Sequence, residues 1–391
     1  MPRHVIARAL IVAATCIGLV GCAQVTQAPS EPIAPLLQDD AFAPPAQPVR
    51  PEQILAMSPA MVRYVDDDIA RRIRRQGRQQ GLIDALYDRD MLRLEYDSAV
   101  TRTASEAFEA RSGNCLSLVI MTAALARHLE LPVVFQSVDV EESWTRGQAL
   151  LLASGHVNLV LSQRPVDKAR GVFTDPQLTV DFLPPQDLQG RRVTRITEDR
   201  VLAMYMNNRA AETMAHGDLD QAYAWARASL KQDPSFASAP ITLGVIYHRK
   251  GLLAPAEAAF RHALRAEPQN TIALADLASV LVSQGRQAEA DEVKRALAQL
   301  EAFPPFHFFD LGKAAVQRGD FEAGKVWLQR EMSRDPDYHE VHFWLAVAYN
   351  GLGDAKAARK HLSKAMANST TRGEHDLYAA KLDRLQARTA H

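Results

Sequence analysis

The stretch Gly217-Asp218-Leu219-Asp220-Gln221-Ala222 begins a pattern that recurs through the second half of this 391-residue chain. Its glycine returns at an unbroken interval of 34 residues, at Gly217, Gly251, Gly285, Gly319 and Gly353. A small residue stands five positions after each glycine: Ala222, Ala256, Ala290, Gly324 and Ala358. Chance does not keep several columns in phase over so many periods, and small residues are needed where paired helices approach closely. The pattern therefore predicts an all-α repeat array.

The period and the columns resemble those of the tetratricopeptide repeat, a helix–turn–helix unit of the same length. A further column holds leucine, at Leu243, Leu277, Leu311 and Leu345. This resemblance predicts an all-α solenoid of five tetratricopeptide repeats over residues 203–372 and a C-terminal capping helix over residues 373–391. The predicted units start near Ala203, Ala237, Thr271, Pro305 and His339.

Stacked helix pairs of this kind form an extended inner groove, and the predicted partner is a protein or peptide bound there. Asn207 and Asn208 lie on the first helix of the array. Asparagine side chains can hold a peptide backbone through paired hydrogen bonds, so these two are the predicted partner-binding residues. The alternative is an array that serves only as a structural spacer.

The N-terminus carries an export pattern over residues 1–21. Arg3 and Arg8 precede an apolar run, Ala9 to Val20, that is too short to span a bilayer and is typical of a signal peptide. The following Leu19-Val20-Gly21-Cys22 resembles the lipobox of bacterial lipoproteins, which implies acylation of Cys22. An ordinary secretory signal is the alternative. We expect a protein in the bacterial cell envelope, facing the periplasm at the outer membrane and held there by the lipid anchor alone.

Residues 22–51 are rich in proline and lack periodicity, which predicts an extended tether between the lipid and the folded body. The prolines are Pro29, Pro32, Pro35, Pro44, Pro45, Pro48 and Pro51. Removal of the signal peptide takes the formal charge from −1 to −3. A balance so close to neutral gives no electrostatic case for a nucleic-acid partner.

Between residues 52 and 200 the pattern predicts an α+β domain built around one cysteine. Cys115 is the only thiol left once residues 1–22 are set aside, and it stands in Arg111-Ser112-Gly113-Asn114-Cys115, a polar turn before an apolar helix. Exported proteins usually pair their cysteines or lose them. The free N–H groups and the dipole at a helix N-terminus favour a thiolate, so Cys115 is predicted to be a nucleophile.

A nucleophilic cysteine needs a base and a group that orients the base. His156 begins one predicted strand, in Gly155-His156-Val157, and Asp181 ends another, in Val180-Asp181-Phe182. The three side chains can meet at one point, with His156 as the base, Asp181 fixing its tautomer and the Cys115 N–H holding an oxyanion. This chemistry requires no cofactor.

The region resembles the transglutaminase-like superfamily of papain-type cysteine enzymes. The matching residues are Thr103 to Phe108, Arg111 to Cys115, Ala123 to Leu131, and the strands around His156 and Asp181. The resemblance implies a transglutaminase-like α+β fold for residues 52–200 and a Cys115–His156–Asp181 triad. It departs at Val157, where many relatives have an aromatic residue, and at Phe182, where many have a proline.

The predicted function is that of a membrane-anchored cysteine hydrolase or amide transferase that acts on peptide or amide bonds. The predicted enzyme is a transglutaminase-like cysteine peptidase or amidase, and its repeats are predicted to bind a partner or substrate. The alternative is a non-catalytic scaffold lipoprotein with a degenerate transglutaminase-like domain, which the lack of an evident upstream oxyanion donor favours. No metal site is predicted, because the three residues are far apart in sequence. His339-Glu340-Val341-His342 is one residue short of the zinc-protease helix signature.

Overall fold

The structure is a computed structural model that describes residues 32–87, 92, 94–98, 100–147, 150–162, 177–182, 191–300, 303 and 306–387. For residues 139–147 and 150–155 it describes the backbone. The predicted signal peptide and the predicted lipidation site, Cys22, lie outside the described residues. The contacts given below all belong to the unit Ile33–His391.

The N-terminal region begins with four helices packed around a fifth, which is buried. The four are α1 (Pro59–Arg63), α2 (Ala70–Gln76), α3 (Arg78–Tyr87) and α4 (Ala104–Ala110), and the buried helix is α5 (Cys115–His128). Asn114 caps α5, because its side chain accepts a hydrogen bond from the N–H of Ser117. Residues 115–126 of α5 are all buried, since helices cover one side of α5 and a sheet covers the other. A helix that is apolar on every face suits this central position.

The sheet consists of four strands in the order β5-β4-β3-β6, and each neighbouring pair is antiparallel. The strands are β3 (Val133–Gly147), β4 (Leu150–Ser162), β5 (Gln177–Val180) and β6 (Val193–Ile196). A separate parallel ladder joins β1 (Glu95–Tyr96) to β2 (Ser112–Gly113). The strands predicted around His156 and before Asp181 are present as β4 and β5.

The C-terminal half is a row of helix pairs followed by one last helix. The pairs are α6 (Glu198–Ala215) with α7 (Leu219–Gln232), α8 (Ser238–Arg249) with α9 (Leu253–Ala266), α10 (Thr271–Ser283) with α11 (Gln287–Leu300), α12 (His307–Gln317) with α13 (Phe321–Met332), and α14 (His339–Gly351) with α15 (Ala355–Ala367); α16 (Arg372–Ala387) follows. The first pair packs on the second and the second on the third, the fourth pair packs on the fifth, and α16 packs on α15. The prediction of an all-helical solenoid is confirmed.

The repeated glycines lie at the turn within each pair, and all have positive φ, between 77° and 88°. A Cβ atom at any of them would meet no atom within 4 Å, so backbone conformation alone explains the glycine column. At Gly217, the N–H of the next residue, Asp218, closes onto the carbonyl of Thr213. This bond ends α6 in the Schellman arrangement and sets up the sharp return into α7.

The proline-rich segment differs from the predicted tether, because residues 33–47 lie against the first helix pairs. Leu36 is 7% exposed, and its carbonyl accepts a 2.7 Å hydrogen bond from the Tyr247 hydroxyl. The ring of Phe42 stacks on Tyr223 with 4.0 Å between the ring centroids. The contacts of Leu36 and Phe42 and the hydrogen bonds around them hold the segment on the array, although its proline content is high. The tether prediction therefore does not hold for this stretch.

The end of the array returns to the cysteine-containing region. The N–H of Ser98 donates to the carbonyl of Thr370, in the turn before α16, at 3.2 Å. Both ends of the array thus contact the segment between β1 and α4, since α6 contacts Thr101 there. Within the described residues, none of the helices combines the length and the apolar character that crossing a membrane requires.

Candidate active site

Cys115 is the first residue of α5 and is 9% exposed. It is the one free cysteine among the described residues. The capping bond from the Ser117 N–H to Asn114 Oδ1 is 2.9 Å long. Gly113, in β2, is crowded, because a Cβ atom there would lie 2.6 Å from the Cβ of Ser117. The residue before the cap must therefore be a glycine, because Ser117 leaves no room for a side chain there. The turn places the Cys115 thiol at the positive end of the helix dipole.

His156 and Asp181 come together because their strands are neighbours. β4 pairs with β5 in a register that sets Leu159 opposite Val180, so Asp181 follows directly beyond the paired residues. His156 Nε2 and Asp181 Oδ1 are 2.7 Å apart. Side-chain exposure is 3% for His156 and 10% for Asp181. The carboxylate thus fixes the orientation of a buried imidazole.

The Cys115 side chain lies beside the His156 ring and interacts with it. Nε2 is engaged by Asp181, so Nδ1 is left to meet the thiol. Burial acts to lower the pKa of His156, but the hydrogen bonds with Asp181 and Cys115 outweigh it and raise that pKa to about 9. The imidazole is therefore protonated at neutral pH, as a thiolate–imidazolium pair requires.

Asn158 is a site residue that the sequence analysis missed. Its Nδ2 donates to Asp181 Oδ2 at 2.7 Å, so both carboxylate oxygens are held, one by His156 and one by Asn158. Asn158 is 4% exposed. It stands two residues after His156, on the same face of β4, and the two-residue period of a strand is the signal that could have identified it.

Tyr96 is a second missed residue. It lies opposite Gly113 in the β1–β2 ladder, and its hydroxyl lies close to the backbone N–H of Cys115. The residue is 40% exposed, but its hydroxyl end is desolvated; this, together with the charge of Cys115, raises its pKa above the ordinary value. The phenol is therefore neutral and lies where an oxyanion would bind. A two-residue strand has no periodicity by which to recognise it.

The two asparagines predicted to bind a partner are half-buried on α6, in different surroundings. Asn208 Nδ2 donates to Thr101 Oγ1 at 3.3 Å, across the contact between α6 and the segment before α4. Asn207 Oδ1 is buried and has no hydrogen-bond partner among the described residues. The Asn208 amide is therefore engaged by Thr101, and the partner-binding role of the two asparagines stays a prediction.

The histidines of the His339–His342 motif are buried within the array. His339 Nδ1 bonds with the Tyr378 hydroxyl at 2.9 Å, and His342 Nε2 bonds with the Pro336 carbonyl at 2.8 Å. His342 Nδ1 lies 3.1 Å from Nδ1 of His361. Among the described residues, no group of three histidine, cysteine or acidic side chains is arranged to hold a metal ion.

The chain is similar to known repeat proteins in its C-terminal half. A family model of the tetratricopeptide repeat matches residues 208–270 and 309–371. YrrB, described as a TPR protein with an unusual peptide-binding site, is 23% identical over 46% of this chain and 92% of that chain, with a TM-score of 0.25. Pseudomonas aeruginosa pilF is 19% identical over 47% and 91%, with a TM-score of 0.27.

PilW, described as a widely conserved type IV pilus biogenesis factor, is 22% identical over 48% of this chain and 86% of that chain, with a TM-score of 0.27. No curated protein matches the chain. The family match, the helix pairs and the left-handed glycines at the turns agree with one another. The C-terminal half of this protein is an array of tetratricopeptide repeats.

Proposed function

We propose that this protein is a cysteine hydrolase or amide transferase that acts on peptide or amide bonds through Cys115, His156 and Asp181. One observation carries the proposal: a buried imidazole bonds with a carboxylate on one side and interacts with a thiol at a helix N-terminus on the other. The order of the residues, the helix that begins at the cysteine and the adjacent strands support a transglutaminase-like fold for this region.

The arrangement supports nucleophilic catalysis. With His156 already protonated, Cys115 reacts as the thiolate partner of the pair: it attacks the carbonyl carbon, so that an S–C bond forms and the π electrons move to oxygen. When the intermediate collapses, the C–N bond breaks and the His156 proton goes to the leaving amine. Water then attacks the thioester while His156 takes its proton, and the thiol is regenerated; in a transfer reaction an amine replaces the water. Asp181 and Asn158 keep the imidazole in place throughout.

The repeats supply a binding function beside this chemistry. Tetratricopeptide repeats generally bind protein or peptide partners, and we infer that this array does so as well. The lipobox-like sequence at Cys22 supports a lipid-anchored protein that faces the periplasm at the outer membrane. A substrate or partner would then be another component of the cell envelope.

A non-catalytic scaffold is the second candidate, and one contact favours it. The Tyr96 hydroxyl lies close to the Cys115 N–H, so an oxyanion must displace that hydroxyl before it can bind there. If Tyr96 never moves, the domain has a reactive pair without a usable oxyanion site and serves as a binding module.

Alkylation of Cys115 by iodoacetamide tests the proposal without knowledge of the substrate. An ordinary thiol has a pKa of about 8.5 and reacts slowly at about pH 6. We expect the wild-type thiol to react nearly as fast at about pH 6 as at about pH 9, because His156 holds it as a thiolate. The His156→Ala protein should follow the ordinary thiol profile. Identical profiles for the two proteins would refute the catalytic proposal and leave the scaffold.

A further inference from the structure

Thr101 is held by the first repeat helix through three of its polar groups. Its backbone N–H donates to Glu212 Oε1 at 2.7 Å. Its carbonyl accepts from Arg209 Nη1 at 3.2 Å, and its hydroxyl oxygen accepts from Asn208 Nδ2 at 3.3 Å. Thr101 is 1% exposed, so these bonds lie away from water. Both the backbone and the side chain of Thr101 are therefore positioned by α6.

The same hydroxyl oxygen is bonded to the residue before the cysteine. Asn114 Nδ2 donates to Thr101 Oγ1 at 2.8 Å. On its other side, Asn114 Oδ1 accepts from both the N–H and the hydroxyl of Ser117, at 2.9 and 2.8 Å. The capping bonds require the oxygen of the amide to face α5, so the NH₂ group must face Thr101. Thr101 thus holds the amide in the orientation that the cap of the cysteine helix requires.

We propose that Thr101 is a positioning residue through which the first tetratricopeptide helix, α6, sets the N-terminus of α5 and with it the Cys115 nucleophile. The inference rests on the proposed function, since it concerns the reactivity of that thiol. It makes the repeat array part of the active site's framework as well as a binding surface. The path is short and continuous: α6, Thr101, Asn114, then Cys115.

The chemical consequence lies in the thiolate. Asn114 is adjacent to Cys115, and its capping bond holds the first turn of α5, whose N–H groups favour negative charge on sulfur. If the cap loses its partner at Thr101, the amide can turn and the first turn can fray. The thiolate then loses part of its stabilisation and its alignment with His156, although the core of α5 stays packed.

The test compares Thr101→Val with Thr101→Ser in the full-length protein. Valine has nearly the shape of threonine but lacks the oxygen, while serine keeps the oxygen. Backbone bonds to α6 remain in both. Thr213→Val is the matched control, because it makes the same chemical change on α6, where the hydroxyl bonds only with the Arg209 carbonyl, at 2.6 Å. The measurements are the rate of Cys115 alkylation at about pH 6 and the melting temperature of each protein.

We expect Thr101→Val to slow alkylation about fivefold, the equivalent of one ordinary net hydrogen bond. Thr101→Ser should restore the wild-type rate, and Thr213→Val should leave it unchanged. Asn208→Ala, which removes the bond on the repeat side, should slow alkylation as well. Equal rates for Thr101→Val and wild type would overturn the inference, as would an equal slowing by Thr213→Val. The proposed function fails separately, if wild type and His156→Ala react alike.

Discussion

Leu36 anchors the N-terminal segment to the repeat array, and its replacement by alanine tests that docking quantitatively. The side chain is 7% exposed and packs in the apolar cluster of the first helix pairs. Loss of a buried leucine side chain costs about 2 kcal/mol or more. The segment can come away from the array, however, so the loss cannot exceed the free energy of docking. We therefore expect Leu36→Ala to weaken docking by about 2 kcal/mol.

Hydrogen exchange at the Gln38 amide measures this change directly. That N–H donates to the Tyr223 hydroxyl at 3.0 Å, so it is protected only while the segment is docked. A loss of about 2 kcal/mol should speed its exchange about 30-fold, while amides in the core of α5 keep their rates. Leu377→Ala is the control, because Leu377 is 50% exposed on α16. A Gln38 amide that exchanges freely in the wild type would refute the docking, as would one unaffected by Leu36→Ala.

Asp39 gives the same docking a pH dependence. A hydrogen bond from Tyr223, opposed by desolvation and aided by Arg227, lowers the pKa of Asp39 below its ordinary value of 3.8. Because the charged form is favoured in the docked state, its contribution is present above pH 3.8 and is lost as the pH falls through the lowered pKa. Acid should therefore speed exchange at Gln38 relative to the intrinsic rate. Asp39→Asn should remove that acid dependence and leave docking weaker at neutral pH.

The remaining predictions concern the imidazole and the repeat glycines. His156 should titrate by NMR near pH 9, and Asp181→Asn should bring the midpoint down towards 6.5. Because the pKa of His156 is raised in the folded state, its contribution to the free energy of unfolding is complete below pH 6.5. That contribution is lost as the pH rises through about 9. A wild-type midpoint near 6.5 would contradict the hydrogen bonds at the site. Gly217→Ala should cost about 1 kcal/mol in urea unfolding, because φ is +88° there. Gly373→Ala, equally uncrowded but without positive φ, should instead stabilise by up to about 1 kcal/mol; an equal loss at both positions would show that φ is not the cause.

The sequence analysis predicted the solenoid well because each repeat carries its own local signals. Positive φ at a turn selects glycine, and close helix packing selects a small residue such as Ala222, whatever the rest of the chain does. The strands were harder to bound. β1 and β2 have two residues each, and β6 is mostly exposed, so these strands lack the alternation that marks a strand.

The candidate site was predictable in its main residues but not in their surroundings. Cys115, His156 and Asp181 were recognised by residue type, order and placement at a helix start and on strands. Tyr96 and Thr101 carry no such mark. Their roles arise from a two-residue ladder and from bonds to α6, which is more than 100 residues away in sequence. Those pairings depend on how the region from β1 to α5 packs against the array.

The sequence by itself determined the period of the repeats, the turns between their helices and the chemistry available at Cys115, because these depend on local backbone conformation and on residue type. Only the tertiary structure decided where the polar side chains and the proline-rich segment make their contacts. Asn208 could have faced a groove, and residues 33–47 could have stayed extended. A hydrogen-bonding or apolar group takes whichever partner the fold brings within reach, and for these groups the partners are distant in sequence: Thr101 for Asn208, Tyr223 and Tyr247 for the segment.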